Sequence, residues 1–212
     1  MNNLTELKGP KKDSIGETEY LVIFLHGWGS DGNDLIQLSN YWQKDLPSAT
    51  FLAPNAPETC IANPGGKQWF DITTDDKNKM YKELEKAYIL LLNYIHKLLK
   101  FYRLEKNKFF LVGFSQGTML ALHTALKEKC LGVIGYSGAL LENGQTLAKV
   151  KNKVFLLHGR LDNIVPLERM ESAYKKLQGL SLDVQKVVFD DLEHSINEEG
   201  LNKGSEFIKN NL

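Results

Sequence analysis

Apolar residues along the chain fall into short, nearly unbroken runs separated by polar stretches with a helical rhythm. The runs at 20–26, 50–53, 108–114, 131–137, 153–158 and 184–189 are rich in β-branched and aromatic residues. Runs that are apolar at nearly every position, rather than at alternate ones, suit parallel strands buried on both faces. Between them Tyr81, Leu84, Tyr88, Leu91, Ile95, Leu98 and Tyr102 recur at three- and four-residue steps, which predicts a long helix with one stripe against a core. The segments 116–129, 167–178 and 197–211 are the other helical candidates, each following a strand. Such alternation implies right-handed crossovers and an α/β fold, a mostly parallel central sheet with helices on both faces.

The 212 residues contain no internal repeat and no linker that would separate a second domain, so residues 19–212 read as one α/β unit. Residues 1–18 are polar and are expected to be only loosely ordered. The connection between Ser137 and the strand at 153 is too short for a helical cap domain, so loops alone should roof the site. Lysine plus arginine total 26 and aspartate plus glutamate total 26, with no long block of either sign, which argues against nucleic acid as a partner. Cys60 and Cys130 lack C-x-x-C spacing and read as free thiols of a reducing compartment. The amino terminus has no apolar leader, and the run 21–25 is far shorter than the ~20 residues of a spanning helix. A soluble, cytoplasmic protein with no membrane span is the expectation.

Chemistry enters at Gly113-Phe114-Ser115-Gln116-Gly117, a G-x-S-x-G pattern joining an apolar strand to a helix, as a nucleophile elbow requires. A serine hydroxyl attacks only if a positioned base takes its proton. Of five histidines, His96 and His123 fall on helical segments, while His26 and His158 each end a strand before a glycine and suit turning the chain. His194 is the expected base, in the polar loop after the last strand, where an open parallel sheet carries its functional loops. The orienting acid should lie between serine and histidine in chain order, which selects Asp162 in the loop after His158. Asp190 and Asp191 are the rival carboxylates. For the oxyanion, the backbone N–H of Gln116 follows the nucleophile, and the glycine-rich loop His26-Gly27-Trp28-Gly29 offers the N–H of Trp28. That loop lacks both the third glycine of a dinucleotide fingerprint and the lysine of a P-loop.

With these residues in place, the chain resembles the phospholipase/carboxylesterase group of α/β-hydrolases, which includes acyl-protein thioesterases and small bacterial carboxylesterases. Leu25-His26-Gly27-Trp28-Gly29, Pro54-Asn55-Ala56-Pro57, Trp69-Phe70-Asp71, the Ser115 elbow, Ser137-Gly138, the stretch 158–166 and His194-Ser195 carry the likeness. The resemblance implies a Ser115, Asp162, His194 triad, an oxyanion hole at Trp28 and Gln116, no metal and no cofactor. It further implies hydrolysis of carboxylic esters, lysophospholipids or S-acylated proteins, often by a homodimer. Three positions depart from the family pattern. Trp28 replaces a common leucine, Thr118 replaces a common glycine, and Glu193 precedes the histidine, where its charge would raise the His194 pKa. Trp28, Trp69 and Phe70 are expected to line the acyl site, between the Trp28 loop and residues 60–74. A peptidase or acyltransferase could use the same triad, and a binding module could keep the fold without the chemistry. Ester or thioester hydrolysis is preferred because every chemical role is filled.

Overall fold

The computed structural model describes residues 6–144 and 147–212. Its centre is a seven-stranded sheet made of β1 (Lys11–Lys12), β2 (Tyr20–Leu25), β3 (Ala49–Leu52), β6 (Phe109–Phe114), β7 (Gly132–Tyr136), β8 (Lys153–Gly159) and β9 (Asp183–Phe189). Their order is β1-β3-β2-β6-β7-β8-β9, and every pairing except β1 with β3 is parallel. All six expected strands form, and the unbroken apolar character of the central ones has the expected cause: β2 and β7 are buried at every position, whereas the edge strand β9 buries only Val184 and Phe189. A small antiparallel hairpin, β4 (Glu58–Thr59) with β5 (Lys67–Gln68), stands apart from the sheet.

Six helices complete the described elements: α1 (Gly32–Ile36), α2 (Ser39–Trp42), α3 (Lys77–Phe101), α4 (Gln116–Ala125), α5 (Leu167–Gly179) and α6 (Glu198–Lys209). The stripe of α3 centres on Leu84, Ala87, Leu91, Ile95 and Leu99 and joins residues of α4 and α5 in one apolar layer. Leu35, Trp42, Leu201 and Phe207, from α1, α2 and α6, cover the other face. The sheet is therefore sandwiched, as the alternation predicted.

Two differences from expectation have local causes. Helix α4 stops at Ala125 because the buried Asn152 carboxamide donates to the carbonyls of Ala125 and Glu128 and accepts the N–H of Cys130, which draws the chain out of the helix. Residues 6–18, expected to be loose, are fastened to the sheet edge. Lys11 and Lys12 pair with Leu52 and Phe51, Leu7 is buried, and the Pro10 and Lys8 carbonyls accept from Ala53 and Asn55. These bonds are made by backbone, so a polar sequence gives no warning of them, and lysine on an edge strand discourages further pairing. Among the described residues no helix is long and apolar enough to cross a membrane.

Candidate active site

The loops leaving β2, β6, β7, β8 and β9 meet at the carboxyl edge of the sheet around a cavity of about 1000 Å3. Ser115 sits between β6 and α4 with φ 53° and ψ −114°, a backbone conformation that costs a non-glycine residue about 1–3 kcal/mol. The flanking glycines make that turn sterically feasible. A Cβ on Gly117 would lie 1.8 Å from the Leu25 carbonyl oxygen, and one on Gly113 would lie 2.4 Å from the Thr118 nitrogen. The Ser115 N–H donates to the Tyr136 carbonyl at 2.9 Å, which ties the elbow to β7.

Asp162 is 5% exposed and its two oxygens have different work. Oδ1 accepts the N–H groups of Ile164 (3.0 Å) and Val165 (2.8 Å), while Oδ2 lies 2.8 Å from His194 Nδ1. A carboxylate accepts, so Nδ1 of His194 carries the proton and Nε2 is left as the basic nitrogen. The loop carrying His194 can approach because residue 159 is glycine: a Cβ there would sit 2.0 Å from the Leu192 carbonyl oxygen. The His194 ring packs on Phe114, centroids 4.9 Å apart, and both His194 and Ser115 line the cavity, without a hydrogen bond between them. The rival acids are elsewhere. Asp190 is exposed and paired with Arg160 at 2.7 Å, and Asp191 is exposed. His96 is exposed on α3, whereas His123 is buried against Tyr81 and Tyr88.

Two backbone amides, the N–H groups of Trp28 and Gln116, belong to residues that line this cavity and donate to no other group of the described protein. The peptide that carries the first is held by a residue whose part the sequence does not reveal. His26 Nδ1 donates to the Gly27 carbonyl at 2.8 Å and its Nε2 accepts the Ala56 N–H at 3.0 Å. In a trans peptide the C=O of Gly27 and the N–H of Trp28 point in opposite directions, so holding one directs the other. Burial pushes the His26 pKa down, which keeps the ring in the neutral form this pairing needs. The hairpin β4–β5 supports the loop from outside: Gly29 donates to the Lys67 carbonyl, Lys67 donates to the Ser30 carbonyl, and the Trp28 indole donates to Gln68 at 3.0 Å.

The expectation for Trp69 and Phe70 needs correction. Both are buried, at 2% and 0% exposure, and neither lines the cavity. The Gln116 carboxamide accepts the Trp69 N–H at 2.9 Å and donates to the Phe70 carbonyl at 2.8 Å, while the Trp69 indole donates to the His26 carbonyl. They brace the elbow and the Trp28 loop from behind. Of the segment 60–74 only Ile72 reaches the cavity; its apolar wall comes instead from Met80 and Tyr81 of α3, Met119 of α4, and Leu140 and Leu141. Trp28 is among the residues that line it. Thr118 is accommodated because Gly135 and Gly138, which lie against its side chain, have none of their own, and its hydroxyl donates to the Tyr136 carbonyl at 2.8 Å. Glu193 is exposed and is not on the cavity wall.

A parallel sheet with a strained serine at a strand-to-helix turn, and a histidine and a carboxylate on later loops, defines the α/β-hydrolase class. Comparison with known proteins narrows this. The family described as Phospholipase/Carboxylesterase matches residues 12–212, and the chain belongs to it. Acyl-protein thioesterase 1 of Gibberella zeae is 29% identical over 211 residues, covering 90% of each chain. Esterase YpfH of Escherichia coli (strain K12) is 26% identical over 188 residues, covering 86% of this chain and 79% of that one. The crystal structure of esterase PE8 superposes with a TM-score of 0.91 at 35% identity, over 98% of this chain and all of that one.

Proposed function

We propose that this protein is a serine hydrolase that cleaves carboxylic esters or thioesters through an acyl-Ser115 intermediate. Ser115 Oγ attacks the acyl carbonyl as His194 Nε2 takes its proton, and Asp162 holds the ring in the Nδ1–H tautomer and stabilises the imidazolium. The N–H groups of Trp28 and Gln116 receive the oxyanion; one such donor is worth roughly 3–4 kcal/mol where it has been removed. His194 then protonates the leaving alcohol or thiol, and water repeats the sequence to release the acid. A direct bond from Ser115 to His194 forms as substrate enters, since catalytic hydrogen bonds commonly tighten only in the complex.

One observation carries this: the 2.8 Å contact between His194 and a buried Asp162, on the wall of the cavity into which the strained Ser115 opens. Relatives that are esterases and acyl-protein thioesterases support the same bond class. The apolar wall of Met80, Tyr81, Met119, Leu140 and Leu141 suits an acyl chain. Carboxylic esters, lysophospholipids and S-acylated proteins are the substrate candidates. Stopped-flow hydrolysis of a p-nitrophenyl ester tests the mechanism. A burst of p-nitrophenol equal to the enzyme concentration supports an accumulating acyl-enzyme, and the absence of any turnover on oxygen or thio esters contradicts the proposal.

A further inference from the structure

His158 is a second imidazole at Asp162, and nothing in the mechanism so far uses it. The residue is the penultimate one of β8, is 1% exposed, and does not line the cavity. Its Nε2 lies 2.7 Å from the Val165 carbonyl oxygen and 3.3 Å from Asp162 Oδ2. A carbonyl only accepts, so Nε2 carries a proton, directed at Val165 and passing close to the carboxylate. Val165 in turn donates its own N–H to Asp162 Oδ1 at 2.8 Å. The chain of contacts therefore runs from the His158 ring through both polar groups of Val165 to Asp162, and from Asp162 Oδ2 to His194. The opposite nitrogen of His158, Nδ1, is buried and has no hydrogen-bond partner among the described residues. A buried ring nitrogen left unpaired lowers folding stability, and an apolar side chain of similar size would avoid that loss. A histidine here is thus poorly explained by packing and well explained by the N–H on its other side.

We propose that His158 is a positioning residue for the acid of the triad, an inference that rests on the acyl-Ser115 reading. By clamping Val165 it fixes the turn that holds Oδ1, and by placing the positive edge of an N–H beside Oδ2 it keeps that oxygen turned to His194. A carboxylate anchored through Oδ1 alone is free to rotate about its Cβ–Cγ bond; with both oxygens constrained, the plane presented to His194 is set before substrate arrives. Since His158 touches no substrate, its loss acts on the chemical step and leaves binding alone.

The test compares three variants with the intact enzyme in hydrolysis of a soluble p-nitrophenyl ester, each checked by thermal unfolding. His158→Leu removes the donor; His158→Gln puts a carboxamide N–H where Nε2 stood; His158→Asn puts one near the Nδ1 position, out of reach of Val165. The expected result is a fall in kcat of about tenfold or more for the Leu and Asn variants, equal to ~1.4 kcal/mol of transition-state stabilisation. KM should stay within about twofold, and the Gln variant should recover most of kcat. Should His158→Leu fail to fold, the contrast between Gln and Asn decides alone. A folded His158→Leu with undiminished kcat, or Gln and Asn variants equally impaired, overturns the inference. Asp162→Asn measured in parallel separates the two levels: if it is crippled and His158→Leu is not, only the role of His158 fails. If Asp162→Asn is fully active, the triad itself is wrong.

Discussion

His194 Nδ1 and Asp162 Oδ2 stand 2.8 Å apart although 32 residues separate them in the chain, and the contact is made because the loops after β8 and β9 share one sheet edge. Gly159 is the hinge of that meeting, since any side chain there would collide with the Leu192 carbonyl. The prediction is that Asp162→Asn lowers kcat by about 10³ to 10⁴, by stabilising the wrong tautomer and leaving the imidazolium unsupported. Asp190→Asn, which breaks only an exposed pair with Arg160, should leave kcat unchanged. Steady-state kinetics of the two variants checks the assignment, and the reverse pattern would move the acid to the His194 loop.

The oxyanion loop gives a second prediction. If His26 aims the Trp28 N–H through the Gly27 carbonyl, His26→Leu should lower kcat by about tenfold to a hundredfold with little change in KM, short of the 10²–10³ for outright loss of a donor. His26→Asn keeps a donor near the Nδ1 position and should be milder. Equal losses in both variants would mean that the ring acts through its packing on Trp69 or its bond from the Ala56 N–H and not through Gly27.

Much of this architecture is legible in the chain, and the illegible part has a pattern. The central strands read clearly because both of their faces are buried, and Ser115, Asp162 and His194 stand out as candidates because the proposed chemistry demands an order and a place at the sheet edge. The place of Trp69 and Phe70 is not legible, because an aromatic pair in a loop has the same appearance whether it faces a cavity or braces one. The lining contributed by Met80, Tyr81 and Met119 was hidden by helical periodicity, which says which stripe is buried and not which turn overhangs a site. His26 and His158 stand in plain view as two His-Gly pairs at strand ends; only their bonds to Gly27 and Val165 tell them from turn residues. The amino-terminal strand leaves no mark in the sequence because its pairing is made by backbone.

Substrate length is the third prediction. With the cavity wall formed by Met80, Tyr81, Met119, Leu140 and Leu141, each buried CH₂ contributes ~0.8 kcal/mol, about fourfold in binding, until the space is filled. A series of p-nitrophenyl esters should show kcat/KM rising with acyl length and then levelling. Met119→Trp should bring the plateau to shorter chains, and Trp28→Leu should move it to longer ones. A profile that neither substitution moves would place the acyl chain elsewhere.

Stability should depend on pH through a residue that does not itself line the cavity. Burial against Tyr81 and Tyr88 pushes the His123 pKa down to about 4, with Lys127 acting in the same direction and Glu85, 3.2 Å away, opposing. The unfolded chain protonates this ring near ~6.5 while the folded chain does not, so stability falls as pH drops from about 6.5 towards 4. Burial of His26 adds in the same direction. Urea midpoints should therefore fall between pH 7 and pH 5, and His123→Gln should flatten that decline. An unchanged slope in the variant would assign the acid sensitivity to other groups.

The central claim is that Ser115 carries the acyl group, and the most direct measurement is peptide mapping by mass spectrometry after trapping. Wild-type protein treated with a fluorophosphonate, or quenched with acid during turnover of an ester, should carry the adduct on the peptide containing Ser115. Ser115→Ala should carry none, hydrolyse no ester, and keep its unfolding temperature within a few degrees. An adduct on Ser137 or Ser195, or ester hydrolysis that survives in a folded Ser115→Ala protein, would contradict the account.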